Sequence, residues 1–128
     1  MNVLVIALDA ASPLDLDDAE VFVVAPALNS RLRHWLSDDG GARRVAGERL
    51  AACLDRLERT GLHATGCIGD ADPLQAIADA LPTFAADEVV IAAHGERSRR
   101  LAREIATRAR ERFGLPVVHV GDQLPRAA

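Results

Sequence analysis

The stretch from Ala86 to Pro116 restricts this chain more than any other part of it. Val89-Val90-Ile91-Ala92-Ala93 is a short apolar run rich in β-branched residues, the signature of a strand covered on both faces. His94-Gly95 follows where such a strand stops. An arginine-rich helix comes next, with Ser98 as its expected cap and Gly114 as its expected end. On that helix Leu101, Ile105 and Ala109, with Ala102 and Ala106 beside them, are expected to face inward. Val117-Val118-His119-Val120 then reads as a further strand. A buried strand that turns directly into a helix N-terminus offers a natural anion site, because the first amides of the helix have no partner within it.

The same alternation runs through the rest of the chain. Val3 to Leu8 reads as strand one, ending at Asp9, and Val21 to Ala25 as strand two, ending at Pro26. Only twelve residues, Asp9 to Glu20, lie between them. A parallel crossover takes about a dozen residues or more. Ser12-Pro13 can start a short helix there with Leu14 inward, or the crossover is a loop. Either way the sheet face near strand one is expected to be thinly covered. Leu32, Trp35 and Leu36 give Asn29 to Ser37 a helical spacing, broken by Asp38-Asp39-Gly40-Gly41. A longer helix is expected from about Ala42 to Thr60. Ala46, Leu50, Cys53, Leu54 and Leu57 form its apolar stripe, and Gly61 stops it. His63 to Ile68 reads as strand three, at an edge. Asp72-Pro73-Leu74-Gln75 is a strong helix start, with Asp at the N-cap, Pro at N1 and Gln at N3. Leu74, Ile77, Ala78 and Leu81 make its expected buried face, and Pro82 its expected end.

Strands that alternate with helices make an open, five-stranded, parallel α/β sheet with helices on both faces, in one domain over residues 1–128. Placing the most apolar strands centrally gives the order 3-2-1-4-5. The chain then reverses direction between strands one and four, and ligands of such sheets bind outside the carboxyl ends at that switch point. Asp9, His94 and Gly95 fall there, with Ala25, Pro26, Gly69 and Asp70 nearby.

Composition narrows the chemistry. All 15 basic residues are arginine, so a Walker A phosphate loop and Schiff-base catalysis are both excluded. A net charge of −4 argues against bulk nucleic-acid binding. No apolar run approaches the ~20 residues that span a bilayer. Met1-Asn2 leads straight into the first strand, which gives the expectation of a cytoplasmic protein. Cys53 and Cys67 form no metal-like cluster with the scattered His34, His63 and His119, and both read as buried small hydrophobes. Neither a metal site nor a catalytic centre is expected.

With these positions placed, the chain resembles the universal stress proteins over nearly its whole length. Leu8-Asp9-Ala10-Ala11-Ser12-Pro13 is similar to the family's first strand end, whose aspartate sits by the nucleotide. Gly69-Asp70-Ala71-Asp72-Pro73 with Ile77 resembles its glycine-aspartate-proline turn. Ala86-Asp87-Glu88-Val89-Val90-Ile91 with His94-Gly95 resembles the entry and exit of its fourth strand. Leu115-Pro116-Val117-Val118-His119-Val120 resembles its closing strand. The resemblance implies a Rossmann-like, HUP-type three-layer sandwich, an ATP- or AMP-type nucleotide as ligand, and a homodimer through the last strand. ATP-binding members carry Gly-x2-Gly-x9-Gly-[Ser/Thr] after strand four. Here Gly95 stands at the first position, but Ser98, Arg108 and Ala109 occupy the others. Side chains there crowd the approach of backbone amides to phosphates. The motif is degenerate, and ATP binding in the family manner is not expected.

Several residues carry two readings. Asp9 contacts a base, a sugar or a metal, or is a solvated strand-end carboxylate. His94 is a ligand donor or a general base, although no nucleophile has a sequence-defined place beside it. Arg97, Arg99 and Arg100 are a phosphate clamp at the start of the arginine helix, with Ser98 among them. Alternatively they are a solvated face with pairs such as Arg100 to Glu104. Asp15, Asp17, Asp18 and Glu20 hold a cation or are a solvated loop. The reading that results is a non-enzymatic protein of universal-stress type, acting through a small ligand or a protein partner in stress response or regulation. Its rivals are a nucleotide-hydrolysing enzyme of the same fold group and a purely structural dimerisation module. The homodimer is expected to form through Val117–Val120, an edge with no Lys, Pro or charge to discourage pairing.

Overall fold

Strand β1 (Asn2–Ala7) occupies the centre of the sheet because both of its faces are apolar, and Val3 to Ala7 are all buried. The computed structural model describes residues 1–9, 16, 19–28, 39–93 and 95–120. Besides β1 these form β2 (Glu20–Pro26), α1 (Asp39–Arg59), β3 (His63–Gly69), α2 (Pro73–Ala80), β4 (Glu88–Ala92), α3 (Glu96–Phe113) and β5 (Val117–Val120). All pairings are parallel and the order is β3-β2-β1-β4-β5, as the apolar runs predict. Val5 is in register with Val23 on one side and Val90 on the other.

Period-two alternation sends these strands' side chains to two separate cores. On one face Leu4, Ile6, Val24, Val89 and Ile91 pack under α2 and α3. Ala102, Ala106 and Ala109 give α3 a nearly smooth inner face, and Ile105 fills the space between them. On the other face Val3, Val5, Val23, Val90 and Ala92 meet Ala42, Ala46, Cys53 and Leu57 of α1. The result is a three-layer α/β sandwich with an open sheet.

The structure corrects several expectations. The face near β1 is not thinly covered: Val5 and Ala7 are fully buried, with Leu16 and Ala19 packed against that core. Residues 10–15, 17–18 and 29–38 lie outside the described residues, so the helix-or-loop question at the first crossover, the acidic run Asp15-Asp17-Asp18 and the short segment around Trp35 are not described. Leu101 stands 37% exposed, because Ala102, Ile105, Ala106 and Ala109 complete the buried stripe of α3 without it. Ser98 does not cap α3. The helix begins earlier, at Glu96, and Gly95 is its N-cap. Gly114 ends it in the left-handed conformation, as expected. Asp72 caps α2 by accepting a 3.0 Å bond from the Leu74 amide. That helix ends at Ala80, before Pro82, and buries Ala76, Ile77 and Ala80 while Leu74, Ala78 and Leu81 are half-buried. Cys53 is buried but Cys67 is exposed, since β3 is an edge strand and α2 is too short to roof it.

Candidate functional site

The carboxyl ends of β1, β2 and β4 form one rim. Backbone bonds hold it: Leu8 donates to the Ala92 carbonyl at 2.9 Å, and Ala93 to the Val120 carbonyl at 2.8 Å. Ala27 donates to the Gly69 carbonyl at 3.1 Å. Asp9 leaves the end of β1 half-buried, at the switch point between β1 and β4. Across from it Gly95 has φ +88°, a conformation that a side chain would strain. A Cβ built there meets nothing within 4 Å among the described residues, so space is open beside this turn. Glu96 and Ser98 follow in the first turn of α3, whose early amides lack helical partners.

Sequence reasoning missed one residue of this rim. Arg49 reaches from α1, and its Nη1 donates to the Ala7 carbonyl at 3.1 Å and to the Pro26 carbonyl at 2.9 Å. It therefore ties together the ends of β1 and β2. Burial pulls the Arg49 pKa down, and the Asp9 carboxylate opposes that shift. A guanidinium and a carboxylate thus share the switch point. A signal for this was present: Arg49 lies three residues after Ala46 and four before Cys53, on the apolar side of α1, where a charge needs partners.

The other expected site residues separate. Ala25 and Pro26 are at the end of β2 and belong to the rim. Gly69 and Asp70 instead border a cleft of about 300 Å³ at the open edge of the sheet, with Arg43, Cys67, Asp79 and Thr83 around it. Both have structural duties there. A Cβ on Gly69 would come within 2.5 Å of Val24 Cγ1 and 3.0 Å of Ala76 Cβ, so glycine lets α2 pack closely. The Asp70 carboxylate accepts a 2.9 Å bond from the Asp72 amide and shapes the turn into α2. Partial burial raises the Cys67 thiol pKa, which disfavours a reactive thiolate.

The arginine clamp is also divided. His94 and the Arg97 side chain lie outside the described residues. Arg100 pairs with Glu96 at 3.9 Å rather than with Glu104, and Glu104 pairs with Arg108 at 3.3 Å. Arg99 stands with Arg103 over a second cleft beside β5. Among the described residues no group of three or more His, Cys, Asp or Glu is placed to hold a metal ion. No described helix is long and apolar enough to cross a membrane.

An open parallel sheet in the order 3-2-1-4-5, with polar groups gathered at its switch point, defines the Rossmann-like class of α/β folds. Within that class the fold is similar to that of a universal stress protein. The solved structure of a universal stress protein family protein from Arabidopsis thaliana with AMP bound superposes with a TM-score of 0.61. That match covers 95% of this chain and 92% of the other, at 11% sequence identity. No family model matches the sequence, and no curated protein matches it significantly.

Proposed function

We propose that this chain is a non-enzymatic binding protein of universal-stress type, with a small nucleotide of the AMP class as ligand at the switch point. The observation that carries the reading is the joint placement of Asp9, Arg49 and the open turn at Gly95 on one rim. The structural neighbour has AMP bound, and a monophosphate suits a chain whose polyphosphate glycines are replaced at Ser98, Arg108 and Ala109. Arg108 lies well inside α3, paired to Glu104, which supports the loss of a triphosphate loop. The protein acts in the cytoplasm, in stress response or regulation, as a homodimer joined through β5.

Calorimetric titration tests the ligand. AMP binds the wild-type protein, and Mg-ATP binds no better than AMP. Asp9→Ala weakens AMP about tenfold, the loss of one charge-assisted hydrogen bond. Gly95→Val blocks it, with a melting curve confirming that the variant folds. Micromolar Mg-ATP affinity overturns the eroded-site reading, and AMP binding unaltered in both variants moves the ligand elsewhere.

A further inference from the structure

We propose a second binding site, for a diphosphate group, in the cleft between α3 and the edge strand β5. The cleft holds about 370 Å³ and is lined by Glu96, Arg99, Arg103 and His119. That volume lies at the lower end of the range for small-ligand sites, about 300–1,000 Å³. β5 is the outermost strand, so β4 stands between this cleft and β1. Asp9 and Arg49 contribute nothing to its lining.

The arrangement follows from two periodicities. On α3 the stripe Ala102-Ile105-Ala106-Ala109 is buried, which turns the flank carrying Arg99 and Arg103 toward β5. On β5, Val117 is buried beneath α3, and His119, two residues on, is directed to the same face. Two guanidinium forks and an imidazole thus converge from two elements.

Charge bookkeeping separates these arginines from their neighbours. Arg100 and Arg108 have carboxylate partners, and Arg112 lies 5.2 Å from the centroid of the Phe113 ring. Arg110 donates from Nε to the Val117 carbonyl at 2.9 Å. Arg99 and Arg103 have no such partner among the described residues. Among the described residues Glu96 is the one carboxylate lining the cleft, and it pairs with Arg100 at 3.9 Å. A locally cationic cleft therefore opens in a chain whose net charge is −4. Residues four apart on a helix hold their Cβ atoms about 5–6 Å apart. Two planar forks at that spacing suit two linked phosphoryl groups, each taken bidentately. Free pyrophosphate and a nucleoside diphosphate present the same chemistry.

Calorimetry at low ionic strength, with inorganic pyrophosphate, ADP and AMP as probes, tests the site. Pyrophosphate binds the wild-type protein, and Arg103→Ala weakens it at least tenfold, as Arg99→Ala does. Glu96→Gln strengthens it several-fold, because it removes the opposing charge. Proton NMR places the ligand: pyrophosphate moves the His119 ring resonances. All three positions are solvent-exposed, and coincident melting curves confirm that the variants fold. ADP binding that Arg103→Ala weakens equally identifies a nucleotide-borne diphosphate. ADP that ignores the variant, beside pyrophosphate that does not, identifies the inorganic ion. Pyrophosphate binding unchanged in both arginine variants overturns the site, as does an unmoved His119. If Asp9→Ala removes pyrophosphate binding while Arg103→Ala spares it, the diphosphate sits at the switch point and this proposal fails. If AMP fails to bind while Arg103 still governs pyrophosphate, only the switch-point reading fails.

Discussion

Cys53 makes the sharpest statement available from a single residue. It is buried against the sheet, and burial pushes its thiol from an ordinary 9.0 up to about 11, with Arg56 opposing. The folded state therefore favours the protonated thiol. Stability from this group is fully present below pH 9 and is lost as pH rises toward about 11, because the unfolded chain releases its proton first. The loss amounts to roughly 2 kcal/mol. The chain has neither tyrosine nor lysine, so little else titrates in that window. Cys67 shifts in the same direction and adds to the effect. Denaturant melts between pH 8 and 11 are expected to show falling stability in the wild-type protein. Cys53→Ala lowers stability at neutral pH, yet flattens that alkaline slope; an equally steep slope in the variant refutes the assignment. Residues at this scale were unevenly legible. Asp9 and Gly95 could be placed because strand ends and turn glycines are local signals. Arg49 could not, since its role depends on two carbonyls, of Ala7 and Pro26, that only the assembled sheet brings together.

Elements were legible where their own residues fix them. The five apolar runs gave five strands, and Asp72-Pro73 marked the start of α2, because capping and β-branched burial are properties of a few neighbouring residues. Boundaries and faces shifted where packing decided. Ser98 reads as a cap in isolation, but the positive φ at Gly95 lets the helix start sooner. Leu101 reads as core, yet alanines fill the narrow gap between α3 and the sheet. The contact of β3 with its neighbours rests on Gly66. A Cβ there would collide with the Val23 carbonyl oxygen and come within 2.7 Å of Leu50 Cδ1. The Leu50 methyl can swing aside, but the β2 backbone cannot move without disturbing its ladder to β1. Gly66→Ala is therefore expected to destabilise the fold by about 1–3 kcal/mol, the usual cost of overpacking. Chemical denaturation measures it, and a variant as stable as the wild type shows that the edge strand adjusts freely.

The whole molecule ends at two open sheet edges, β3 and β5, and the proposed homodimer uses the second. The described residues on the sheet face beside β1 are buried, so that face does not compete with the edge. The ladder decides which groups of β5 are available. The Pro116 carbonyl accepts from Val89 and the Val120 carbonyl from Ala93, so the groups of Pro116, Val118 and Val120 point inward to β4. Those of Val117 and His119 point outward. Arg110 already occupies the outward carbonyl of Val117. Among the described residues, the outward amides of Val117 and His119 and the carbonyl of His119 remain for a second strand. Two copies meeting there pair antiparallel about a two-fold axis. Proline at Val118 thus attacks the internal β4–β5 ladder and lowers the melting temperature. Proline at His119 removes an outward donor and spares the ladder. Association also sets the Arg99-Arg103-Arg110 flanks of both copies on one face of the joined sheet, where like charges repel. Added salt screens that repulsion, so dimerisation strengthens with ionic strength, the reverse of a salt-bridged interface. Sedimentation at micromolar concentration is expected to show a wild-type dimer that tightens with salt, a His119→Pro monomer, and an Arg110→Ala dimer tighter than the wild type because the Val117 carbonyl is released. A wild-type monomer in all salts removes the dimer, and a dimer that survives His119→Pro places the interface at β3.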